Sequence, residues 1–176
     1  MKAYPLELEL KMKFYAHTAE DENGKRLPKS DWQLLKDHLR QVAELAKGFA
    51  APLGLETEAA IAGLLHDLGK YAERFQARLD DSSIHGINHW AAGAVQAMDQ
   101  LQAALVAYAV DGHHTGLPAA GDFAQTRQRA QQADLWRDHT GCAEPIAELL
   151  DRFHELDGLR LPSAPPPPGK DHFCNA

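Results

Sequence analysis

The run Gly63-Leu64-Leu65-His66-Asp67-Leu68-Gly69-Lys70 sets a histidine and a carboxylate side by side within an otherwise apolar helical stretch. An ionised Asp is costly to bury unless a cation, a hydrogen bond or a paired charge compensates it. A neutral imidazole and a carboxylate together are good ligands for a hard or borderline divalent metal. The run therefore asks for a fold that carries further ligands to Asp67, and the rest of the chain can be searched for them.

Apolar spacing elsewhere points to helices that could converge on such a site. Residues 6–14 alternate strictly between apolar and charged, the pattern of a strand, and predict a short edge strand or extended arm. Residues 20–30 are polar and contain Asn23-Gly24 and Pro28, so they form a loop. Ser30-Asp31-Trp32-Gln33 has the form of a capping box that opens a helix. Leu35, Leu39, Val42, Ala46 and Phe49 then make an apolar stripe, with His38 at its edge. Pro52 and Gly54 end that helix. Further helices are predicted near 57–68, 71–79, 89–99, 101–111, 122–137 and 144–156, with Gly69 as a C-terminal stop and Pro145 in a first turn. The four consecutive prolines within 161–170 mark a loop or tail. The fold class is all-α, a bundle of six to seven helices with a short N-terminal extended segment.

At 176 residues the chain is expected to form one domain with a real core. The longest apolar run, Ala103 to Val110, is too short to span a membrane. The N-terminus carries no signal pattern, so a cytoplasmic location is expected. Cys142 and Cys174 are far apart and read as two free thiols. A net charge of −7 argues against nucleic-acid binding through the overall field. It leaves a nuclease open, because bound cations invert the local field.

Five of the ten histidines, His38, His66, His89, His113 and His114, fall where helices begin, end or turn inward. Any one alone reads as an ordinary surface or core histidine. Their order is more informative, because metal sites in bundles are built from facing helices.

The order of the motifs resembles the HD superfamily of metal-dependent phosphohydrolases. More narrowly, it is similar to the HD nuclease domain of the CRISPR-associated type I nuclease-helicase. The matching stretches are Phe14-Tyr15-Ala16-His17-Thr18, Trp32 to Leu39, and Gly63 to Lys70 with Phe75-Gln76. They continue with Asn88-His89-Trp90-Ala91-Ala92-Gly93-Ala94 and Gly112-His113-His114-Thr115-Gly116-Leu117-Pro118. A bare HD pair is a weak signal, whereas HDxGK, H-x-x-x-G and GHHxGLP in this order are specific.

The resemblance implies that His38, His66 and Asp67 belong to a first metal, with Asp67 able to bridge. It implies that His89, His113 and His114 hold a second. Lys70 would lie near the scissile phosphate, giving His66, Asp67 and Lys70 catalytic parts, and His17 and Arg74 would contact substrate. The family pattern includes a further Asp on a later helix. No matching stretch occurs here, and Asp134, Asp138, Asp151 and Asp157 stand in other contexts. The expectation is a chain truncated before that helix and the helicase, with an incomplete first site.

Two metals about 3.5–4 Å apart can activate water, neutralise a phosphate and stabilise the leaving group. Imidazoles with one carboxylate suit Mn, Fe, Co or Ni better than Mg. The implied activity is cleavage of single-stranded DNA. The implied partners are a helicase domain or subunit and the crRNA-guided surveillance complex, with no membrane involved. Lys70, Arg74, Arg78, Arg127 and Arg129 could line a path for the strand. Two alternatives stand beside this: hydrolysis of nucleotides or cyclic nucleotides, and an inactive HD module that docks a partner.

Overall fold

Of the strand predicted over 6–14, only residues 12–14 can be compared with the structure. The computed structural model describes residues 12–114 and 116–163. Residues 6–11 of the alternating segment lie outside that range, as do Thr115, Cys174 and positions 164–170 of the Pro-rich segment. Residues 12–14 are not strand; β1 is Tyr15–His17, paired antiparallel with β2, Gln33–Leu34. The Leu35 N–H donates to Phe14 O at 2.8 Å, so the pairing runs into the start of the first helix.

That pairing displaces the predicted capping box. Lys29–Asp31 form a 3-10 turn without a side-chain cap, and helix α1, Leu35–Ala50, begins only after β2. Trp32 is buried, and its Nε1–H donates to Leu27 O at 2.9 Å. The stripe on α1 also differs from expectation. Its buried residues are Leu35, Leu39 and Ala43, each four apart, while Phe49 is 82% exposed. Ten residues beyond Leu39, Phe49 is rotated about 80° off that line at 100° per residue.

After a 3-10 turn at Ala51–Leu53, the chain continues as α2, Glu56–Leu65, α3, Glu73–Asp80, α4, Ala91–Asp99, and α5, Ala104–Gly112. Then come α6, Ala120–Ala130, α7, Ala133–Thr140, and α8, Ile146–Asp151, which runs on as a π-helical turn over Arg152–Leu156. The described residues thus hold eight α-helices. The extra helix arises because the predicted 122–137 segment breaks at Gln132, whose backbone is extended. The break lets Phe123 pack on Tyr108 while Trp136 is buried elsewhere, its Nε1–H reaching Glu144 O. No helix among the described residues is long and apolar enough to cross a membrane.

Gly69 does not end a helix in the left-handed conformation. It sits inside a 3-10 turn, Leu68–Tyr71, and its value is the absence of a side chain. A Cβ there would lie 2.5 Å from His89 O, and the Gly69 N–H donates to that same oxygen at 2.9 Å. Gly93 plays the same part on α4, where a Cβ would collide with the Leu65 carbonyl. Both contacts let backbone press on backbone around His66 and Asp67.

The core is one cluster, with Leu35, Leu39, Ile61, Leu65, Leu68, Tyr71, Val106, Val110 and Phe153 fully enclosed. Arg152 ties the last helix to it. This side chain is 2% exposed, donates to Tyr71 O at 2.6 Å, and pairs with Glu144 at 3.1 Å and Glu148 at 2.9 Å. Replacing Arg152 with Ala strands a buried carbonyl and two carboxylates. The expected loss is about 3–5 kcal/mol of unfolding free energy, read from urea denaturation.

Candidate metal centre

Asp67 follows the last turn of α2, and the backbone there enters the Leu68–Tyr71 turn. The carboxylate is 2% exposed. Around it stand imidazoles from four separate segments. On one side, His38 of α1 approaches Oδ2 through Nε2 at 3.2 Å, and His66 does so at 3.0 Å. On the other, His89, which precedes α4, brings Nε2 to 3.3 Å from Oδ1, and His113, at the end of α5, to 3.9 Å. His114 completes this second group, with Nε2 at 2.8 Å from that of His89. Two candidate ligand groups result, His38-His66-Asp67 and Asp67-His89-His113-His114, and they share the carboxylate.

Three observations test whether these residues fit a divalent ion. First, Asp67 Oδ1 is buried and accepts no hydrogen bond. Second, His66 Nδ1–H donates to Gly63 O at 2.8 Å and His113 Nδ1–H to Val110 O at 2.6 Å. A carbonyl can only accept, so each neutral ring carries its proton on Nδ1 and turns a bare Nε2 toward Asp67. Third, His38 and His66 meet Nε2 to Nε2 at 3.2 Å. Two nitrogens sharing one ion at about 2.1 Å would stand roughly 3.0–3.4 Å apart. The donor set fits a divalent metal.

Electrostatics keep these groups in ligand form. Burial opposes the charge on Asp67, but its side-chain contacts with His38 and His66 and the charge of Lys70 outweigh it, holding the carboxyl far below its usual range. Burial pushes His89 down to about 3, and Lys70 and the neighbouring imidazoles add to that. Burial likewise lowers His113 and His17. Rings that stay neutral keep a lone pair for metal.

The structure brings together His38, His66, Asp67, His89, His113 and His114 as the sequence suggests. His17, at the end of β1, stands on the rim with its ring centroid 5.0 Å from that of His38. Lys70 is placed differently from the expected phosphate contact. It is 4% exposed; its Nζ pairs with Asp67 Oδ2 at 2.8 Å and donates to Ala16 O at 3.3 Å. It is the counter-ion that holds Asp67, and substrate cannot reach it without displacing that pair. Arg74 is exposed and donates to His85 O at 3.2 Å. Arg127 is occupied by Asp99 at 2.6 Å. None of Asp134, Asp138, Asp151 and Asp157 joins either ligand group, and Asp157 accepts from Tyr71 Oη at 2.7 Å.

A family model for the HD domain matches residues 35–156. The chain belongs to the HD domain family. No curated protein matches it. HD domains bind divalent metals and act as metal-dependent hydrolases, so membership points to metal-dependent phosphohydrolase chemistry. The matched span of the HD domain runs from α1 to the π-helical turn and includes every candidate ligand.

Two contributors to this HD site carry no chemical signal in the sequence. Phe75 meets the His89 ring edge to face at 5.3 Å, and Trp90 lies 5.0 Å from the His114 ring. Both limit how the ligand rings can turn. Asn88 also contributes, and it does carry a signal: its Oδ1 accepts from the Trp90 N–H at 3.2 Å and the Ala91 N–H at 2.9 Å, capping α4 directly behind His89. An Asn ahead of an Ala-rich helix is a legible capping signal.

Two outcomes are expected. In the metal-free protein, His89, His113 and His17 stay neutral while the unfolded chain protonates near pH 6.5. Stability therefore falls as pH drops from about 7 toward 3, with Asp67 adding a loss of the same sign at the acid end. Urea midpoints in EDTA across that range check it. Substituting Gly69 with Ala should push His89 from Asp67 and weaken Mn binding about 10–100-fold in a calorimetric titration, a change of the size seen when ligand support is lost.

Proposed function

We propose that this HD domain is a metal-dependent phosphodiesterase acting on single-stranded DNA. The observation that supports hydrolysis at a two-metal centre is Asp67, whose two oxygens face two separate sets of imidazoles. The DNA assignment rests on the resemblance of the motif order to the nuclease group, and on a mouth where His113 and His114 are exposed. In this reading a helicase domain or subunit supplies strand unwound by a crRNA-guided surveillance complex, in CRISPR interference.

Divalent Mn, Fe, Co or Ni held by His38, His66, Asp67, His89, His113 and His114 would supply Lewis-acid charge neutralisation and an activated water. The protein's own groups prepare that site. Lys70 keeps Asp67 ionised and fixes Oδ2. The Gly63 and Val110 carbonyls set the tautomers of His66 and His113. Phe75 and Trp90 restrain His89 and His114. His17 stands at the rim, where its ring can meet a substrate oxygen.

The test is incubation with circular single-stranded DNA in Mn or Ni beside an Asp67→Ala control. Cutting is expected, with a loss of at least about 100-fold in the control, since Asp67 belongs to both ligand groups. Turnover of nucleotides or cyclic nucleotides with the circle left intact would reassign the substrate. No activity together with no bound transition metal would mark a docking module instead.

A further inference from the structure

A groove of about 400 Å³ opens beside His89, lined by Arg78, His85, Asn88, Trp90 and His139 together with residues 86 and 87. Its volume lies in the range of ligand sites. No carboxylate lines it, although the protein as a whole is acidic.

The hydrogen bonds within it make its side chains donors. Arg129 Nη1 donates to His139 Nδ1 at 3.1 Å, and a guanidinium cannot accept. A neutral His139 therefore carries its proton on Nε2, the nitrogen that stands 3.4 Å from Asn88 Nδ2. Asn88 cannot turn its amide around, because Oδ1 is engaged by the two backbone N–H groups at the start of α4. Two N–H donors thus face each other without an acceptor between them. Thr126 Oγ1, 3.5 Å from the same Nε2, is too far for a good bond. Arg78 is exposed and makes no ion pair or hydrogen bond with another described residue. His85 is exposed on the same wall.

We propose that this groove binds an anion: the phosphate next to the one held at the metal centre. The proposal rests on the phosphodiesterase reading. It refines the substrate class to a strand of at least two consecutive phosphates, as opposed to a single phosphoester. His89 belongs to both the ligand group and the groove wall, so a strand leaving the centre on that side enters the groove directly. Arg78 would hold the second phosphate by charge, Asn88 Nδ2 and His139 Nε2 by hydrogen bonds, and Trp90 offers a ring for a base. Arg129 is a positioning residue, because it fixes the His139 tautomer.

The test compares Arg78→Gln with Arg160→Gln, which removes a charge that pairs with Glu155. In Mn, kcat/KM is measured on a single-stranded oligodeoxynucleotide and on bis(4-nitrophenyl) phosphate, which has one phosphate. Arg78→Gln should lower the first about tenfold and leave the second within about twofold, since a phosphate contact acts only where that phosphate exists. Equal loss on both, or loss on neither, overturns the proposal. Failure of the phosphodiesterase reading would show separately, as no hydrolysis of either by the unaltered protein. Binding of an eight-residue oligothymidylate to the metal-free protein then decides. Arg78→Gln should weaken it about tenfold and reduce the salt slope by about 0.7, with Arg160→Gln unchanged. No binding by the unaltered protein, or an equal effect of both variants, overturns the groove assignment.

Discussion

A carboxylate that stays ionised while almost out of water sets the terms for the rest of this fold. Burial alone would neutralise Asp67. Its charge persists because Lys70 and the imidazoles converge on Oδ2, and because Oδ1 is turned toward a second group of rings. Those groups come from α1, the end of α2, the turn after it, the segment before α4 and the end of α5. Five segments must therefore meet at one point. The enclosed Leu35, Leu39, Leu65, Leu68 and Val110 form the apolar floor that makes them do so.

Bringing so many segments together needs close packing, and small residues provide it. The helices α4 and α5 are rich in alanine, and most of the α4 residues are buried. Gly93 lets α4 settle against the end of α2, and Gly69 lets the 3-10 turn settle against His89. The glycine of H-x-x-x-G and that of HDxGK thus have a shared physical reason. Each removes a Cβ where a ligand-bearing backbone must approach. Dense interiors transmit small displacements, so a methyl group at either place is felt at Asp67.

Much of this was legible in the residues, and the differences have definite causes. The helices carrying His38, His66, His89 and His113 follow from apolar spacing, and the candidate ligands that the family resemblance implies are the residues that the fold brings together. Phe49 was misplaced because steps of three and four look alike in a list yet rotate the helix face in opposite senses. The capping box at Ser30 was overruled by strand pairing between residues far apart in sequence. Lys70 was read as a substrate contact because a charged residue beside a metal motif says nothing about which way it faces. Its burial against Asp67 and Ala16 O is a tertiary fact. Of the groove beside His89, the sequence marks only Arg78 and Arg129, as basic residues for a strand path; that they meet Asn88 and His139 was not legible, because the four come together from four separate segments.

The acidic balance of the chain bears on how such a centre can act on a polyanion. At physiological salt, charges more than about 8 Å apart are largely screened. The net charge of −7 thus matters for distant encounter, where it disfavours indiscriminate binding of nucleic acid. Within the centre, two other sources of attraction remain: the cations that the imidazole groups are suited to hold, and a groove wall of donors without carboxylates. On the proposed function, affinity is confined to a strand that reaches both at once. On that proposal, the substrate is delivered to the mouth of the site, because the acidic surface does little to collect a polyanion.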